Sequence, residues 1–126
     1  MAKWATDAMM DAALDYVRSK ADKMIVCSAQ PTTYTEAVTT FALADVTMTE
    51  NTDFTKSDGD TGGRKFRVAA KNAVTIDASG TATHIALVDT ASSGELLYVT
   101  TCTSQALTAG GTVDIPVWDV EIYDPA

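Results

Sequence analysis

Few residues in this chain have types suited to chemistry: the loop Gly59-Asp60-Thr61-Gly62-Gly63, the single histidine His84, and the two cysteines Cys27 and Cys102. A glycine-flanked loop can present a nucleophilic hydroxyl. Here the central residue is Thr61 rather than serine, and His84 has no serine or cysteine in a nucleophile context. A glycine-rich turn is the simpler reading. Asp58 and Asp60 suggest a calcium loop, but an EF-hand loop starting at Asp58 would need an oxygen ligand at its fifth position and a bidentate acid at its twelfth. Gly62 and Ala69 stand there. His84, Cys27 and Cys102 lack the close, paired spacing of a zinc site. Trp4, Tyr34, Tyr98, Trp118 and Tyr123 are too dispersed to outline a sugar-stacking platform. The sequence therefore names no catalytic residue, metal ligand or cofactor, and it reads as a binding or structural protein rather than an enzyme.

The elements that would position any site are mostly strands. Thr81–Thr101 reads as a β-hairpin whose arms are apolar on both faces. Setting Asp89 opposite Glu95 pairs Val88 with Leu96, Ala86 with Tyr98 and His84 with Thr100. The other face then pairs Leu87 with Leu97 and Ile85 with Val99. Strands apolar on both sides belong in the middle of a packed sheet. Each large aliphatic buried there contributes roughly 1.5–3 kcal/mol.

Residues 6–21 form the one clear helix. Met10, Leu14, Val17 and Ala21 make its apolar stripe, with Met9 and Ala13 widening it and Asp7, Asp11, Asp15 and Arg18 mostly on the other face. Thr6 is placed as N-cap, and Lys20 and Lys23 suit the C-terminal end of the helix dipole. Covering its own core is the primary use for such a helix.

Met24–Cys27 reads as a buried strand and Pro31–Ala37 as a turn that winds briefly. Phe41–Met48 is a strand with a phase change near Asp45, and Glu50–Gly63 a polar loop with a short strand at Phe54. Arg64–Ala69 is a half-exposed strand with Phe66 and Val68 on one side. Lys71-Asn72 makes a turn before Val74 and Ile76, and Thr103–Gly111 is a loop closed by two glycines. Pro116 marks the change of phase between Val113–Ile115 and Trp118–Ile122. Eight or so short strands at close spacing predict a mainly β fold. The expected architecture is an antiparallel β-sandwich, jelly-roll-like, with one N-terminal amphipathic helix. Residues 1–126 form a single domain, with the helix at about 6–21 and the sandwich at about 23–123.

Nine Lys+Arg against 17 Asp+Glu leave a formal charge of −8. An acidic chain is a poor partner for nucleic acid, whose binding needs a basic face, and for an anionic membrane surface. No apolar run is long enough to span a bilayer, and the N-terminal residues do not read as a signal peptide. Two cysteines make no disulfide framework and suit a reducing compartment, which disfavours a bridge between Cys27 and Cys102.

Four phrases carry a family likeness: Met24-Ile-Val-Cys-Ser-Ala-Gln-Pro-Thr-Thr-Tyr34, Thr81-Ala-Thr-His-Ile-Ala-Leu-Val88, Leu97-Tyr-Val-Thr-Thr-Cys-Thr-Ser-Gln-Ala106 and Ile115-Pro-Val-Trp-Asp-Val-Glu-Ile122. With them the chain resembles small virion structural proteins of tailed bacteriophages, in particular head decoration, or cement, proteins. The resemblance implies a partner, the major capsid protein, and a homo-oligomer (dimer or trimer). It implies a place on the head exterior of the virion after synthesis in the bacterial host cytoplasm. It defines no active site.

For docking, the sequence singles out the N-terminal segment with Trp4 and Met9, and the turn with Pro31 and Tyr34. Trp4 is either a staple onto the helix or an anchor on another chain. A phage tail or baseplate component is the alternative within the same biology, and a carbohydrate- or receptor-binding β-module the alternative outside it.

Overall fold

The computed structural model describes residues 5–59, 62–91 and 93–122. Over them the chain is mainly β, with antiparallel sheets and one main N-terminal helix. Helix α1 is Asp7–Arg18. Strands β1 (Lys23–Cys27) and β2 (Ala42–Thr47) flank a short π-helix, Glu36–Thr40. β3 (Phe54–Asp58), β4 (Arg64–Val68) and β5 (Lys71–Thr75) follow. The long pair β6 (Gly80–Asp89) and β7 (Glu95–Leu107) precedes β8 (Thr112–Ile115) and β9 (Trp118–Ile122). One four-stranded sheet runs β2-β1-β6-β7, a three-stranded sheet β3-β4-β9, and a two-stranded sheet β5-β8.

The two-sided apolar pattern of the hairpin has a direct structural cause. β1 and β6 are the inner strands of the four-stranded sheet, and both its faces are covered. Inward, Met24, Val26, Ile85 and Leu87 meet Phe54, Phe66, Val68 and Val120 of the three-stranded sheet in a sandwich-like core. Phe54 and Phe66 pack edge to face at 5.5 Å between centroids. Outward, Ile25, Cys27, Ala86 and Val88 lie beneath Tyr34, Ala37, Val38 and Phe41 from the excursion between β1 and β2. That excursion is tied down locally. Thr32 donates to the Glu36 carboxylate through both its backbone N–H and its hydroxyl, each at 2.8 Å, and Phe41 N–H reaches Glu36 O at 2.8 Å. The brief winding expected after Pro31 is this π-turn.

The hairpin register differs from the uniform one that strict alternation suggests. Asp89 faces Glu95 and Val88 faces Leu96, but Leu87 then faces Tyr98, Ala86 Val99, Ile85 Thr100 and His84 Thr101. Leu97 is the extra residue of a bulge. The consequence is visible in the packing: Leu97 and Tyr98 both point into the main core, whereas Leu96 and Val99 point to the outer one. A bulge is the way to put two consecutive side chains on one face. A second irregularity sets Cys102, Thr103 and Ser104 against Thr83, and β7 runs on to Leu107 where a loop from Thr103 is expected.

α1 buries Met10 and Leu14, and Ala21 beyond its end is fully enclosed. Met9 and Ala13 do not widen the stripe, since both are exposed. Thr6 has the extended backbone of an N-cap, and its carbonyl accepts from Met9 N–H at 3.1 Å, but its side chain makes no capping bond. Asp11 and Asp15 do not simply face solvent. Asp11 pairs with Arg64 at 2.9 Å and Asp15 with Lys56 at 3.1 Å, which fastens the helix across β3 and β4. At the other end Lys20 Nζ and Tyr16 Oη both donate to Glu95, at 2.9 and 2.8 Å, which fastens it to the start of β7.

Candidate functional site

Among the described residues, those singled out from sequence do not converge. Trp4 lies outside the described residues, as do Asp60, Thr61 and Tyr123. Met9 projects from α1 with 60% of its surface exposed, and Tyr16 beside it on the helix is 51% exposed. Pro31, expected on a docking turn, is among the fully buried side chains and offers no surface to a partner. Tyr34 is half-buried. Its ring covers Gly94, where a Cβ would stand 2.6 Å from ring carbons. Both turn residues face inward because the outer side of the four-stranded sheet needs a lid, and the Pro31–Phe41 excursion supplies it.

His84 sits between Cys27 and Thr101 in the sheet, with its Nδ1 2.8 Å from the hydroxyl of neighbouring Thr83 rather than bonded to Thr100. Cys27 and Cys102 are both free thiols. Burial pushes the Cys27 thiol up to about 11, with the neighbouring Cys102 adding to the effect, and burial raises Cys102 too. Neither is a thiolate near neutral pH, so neither is primed as a nucleophile or ligand. Among the described residues no group of three or more His, Cys, Asp or Glu is placed to hold a metal ion. No helix among them is long and apolar enough to cross a membrane.

A concave feature lies elsewhere, where the four-stranded sheet and the β8–β9 segment diverge. It is a cleft of about 440 Å³. Ile85, Leu107, Val113, Ile115 and Trp118 give it an apolar floor, and Thr100–Thr103 and Gln105 of β7 form one wall. Trp118 stacks on Tyr98 at 6.1 Å, and its buried Nε1 has no acceptor among the described residues. Asp119 on the rim is engaged by Arg67 at 3.0 Å and Lys65 at 3.3 Å. The Arg67 hydrogen bond, with help from Lys65 and against partial burial, holds its carboxyl below the usual carboxylate range. An acid so stabilised in its ionised form is a weak base. The cleft can therefore seat an apolar group beside neutral hydroxyls.

Reading Thr103–Gly111 as a loop hid this wall. One signal was present in the sequence, however: residues 96–113 form its longest run free of Asp, Glu, Lys and Arg. No family model, curated protein or solved structure matches the chain.

Proposed function

We propose that this protein is a structural component of a tailed-phage virion, a decoration protein that binds the outer surface of the head and stabilises junctions between capsid subunits. The observation that carries the reading is a large apolar side chain, Met9 at 60% exposure, on a helix held to the body on another side by Met10, Leu14 and the ion pairs of Asp11 and Asp15. A side chain presented from a rigid element makes contact at little cost in ordering.

The likeness of the Met24–Tyr34, Thr81–Val88, Leu97–Ala106 and Ile115–Ile122 phrases to decoration proteins supports the reading. So does the charge of −8, which suits a protein outside a DNA-filled shell. Each contact can be modest, because repetition over a symmetric shell multiplies it. Pro31 plays no part in docking, and Met10 belongs to the core, so the docking surface centres on the outer face of α1.

The test is to add purified protein to heads lacking it and count bound copies by cryo-electron microscopy. The wild type should saturate defined positions on the shell. Met9→Asp should reduce affinity about tenfold, the effect of losing one anchoring side chain at an interface, while circular dichroism stays unchanged. Absence from heads with binding to tails would assign the protein to the tail instead, and binding to neither would overturn the virion reading.

A further inference from the structure

The edge of the four-stranded sheet differs from every other strand edge among the described residues. β7 is 13 residues long and pairs only with β6, so the backbone groups on its far side have no strand partner. Open edges invite another strand, and monomeric proteins blunt them with charge, proline, bulges or cover. β7 has two bulges, which leave Tyr98–Thr101 and Gln105–Leu107 as its longest regular runs, but almost no charge.

The other edges here are blunted in those ways. β3 carries Lys56 and Asp58, and β9 carries Asp119 and Glu121. β2 carries Asp45 and is capped by the Ala44–Ile76 bridge, with Asp77 and Ala78 N–H both bonded to Leu43 O. β5 carries Lys71 and β8 Asp114. On β7 the only charge is Glu95 at its first residue, and the exposed positions are Thr101, Thr103, Ser104, Gln105 and Ala106.

We infer that β7 is a self-association edge: two copies of this chain pair antiparallel through β7 about a twofold axis, joining their four-stranded sheets into one continuous sheet. Charge selects the occupant. Two bodies of net charge −8 repel across most surfaces. The β7 edge, neutral from Leu96 to Leu107, is where they can meet without opposing carboxylates. An isologous contact must be self-complementary, and an antiparallel edge of threonine, serine and glutamine is: hydroxyl meets hydroxyl across the axis, a favourable cross-strand pair. The regular run Tyr98–Thr101, between the two bulges, is where the new ladder would start. The inference does not depend on the virion reading.

The experiment is sedimentation equilibrium on the full chain over a wide concentration range, for the wild type, for Thr101→Glu with Thr103→Glu, and for Thr101→Lys with Thr103→Lys. A wild-type dimer is expected, with each charged double variant raising the dimer dissociation constant at least about tenfold. An equimolar mixture of the acidic and basic variants should restore association, which a misfolded variant would not do. A wild type that stays monomeric throughout, or a dimer that survives both charge variants, overturns the inference. So does a monomer that instead captures an added uncharged strand peptide, because the edge would then serve another chain.

Discussion

At the scale of single residues, Gly94 shows how a contact can demand an absent side chain. Its backbone is left-handed, at φ 81°, and the Tyr34 ring occupies the space of a Cβ. Gly110 shares the left-handed backbone, at φ 90°, but has nothing within 4 Å of a Cβ. Comparing the two separates strain from collision. Gly110→Ala should cost about 1 kcal/mol through backbone strain alone. Gly94→Ala should cost about 2–3 kcal/mol, because the ring that lids the outer core must also move. Urea midpoints with unchanged slopes would check both values, and equal costs would mean that the Tyr34 contact contributes nothing. Burial accounts likewise for the sequence-selected turn: Pro31 and Tyr34 look like loop residues in a linear chain, but they roof an apolar sheet face.

At the scale of elements, α1 separates into a structural side and a presenting side. Leu14 is 2% exposed in the main core, whereas Met9 is on the surface. Leu14→Ala should therefore destabilise by about 2–5 kcal/mol, the range for a truncated core leucine. Met9→Ala should stay within about 0.5 kcal/mol. Thermal unfolding of the two variants checks this, and a large loss from Met9→Ala would mean that it packs rather than presents. The hairpin teaches a related lesson. Its apolar content was legible as a central pairing, but its register was not. Strict alternation cannot show that Leu97 and Tyr98 share a face, because a bulge breaks it there, where Tyr98 stacks on the distant Trp118.

At the scale of the whole molecule, stability against pH should follow the ion pairs that bind the sheets and helix together. Four carboxyls lie below their ordinary values. Arg67 is the main cause for Asp119, Arg18 for Asp15, Lys20 for Glu95 and the Thr32 backbone N–H for Glu36. Groups with depressed folded values stabilise above the unfolded range and lose that contribution as pH falls through the folded one. Lys20, raised chiefly by its bond to Glu95, acts oppositely: its contribution is present below its ordinary 10.5 and is lost as pH rises beyond it. The buried thiols Cys27 and Cys102, both raised, likewise lose their contribution as pH climbs past the ordinary thiol value, so the melting temperature should be nearly flat from about pH 5 to about pH 8 and fall on either side. Asp119→Asn should lower it at neutral pH, and the gap to the wild type should close below about pH 4. A constant gap across the acid limb would show that Asp119 acts through packing and not through its charge.

Periodicity, composition and turn chemistry by themselves determined the mainly β class, the span of the helix to within a few residues, the Met24–Cys27 strand and the central place of the Ile85–Val88 segment. These are properties of local alternation, and neighbouring residues carry them. Tertiary packing alone decided the phase of β7, the inward turn of Pro31 and Tyr34, and the pairing of Asp11 and Asp15 with Arg64 and Lys56. It also decided which edge of which sheet stays open. Each of these depends on residues far apart in the chain arriving at one place, and no local pattern encodes which partner arrives.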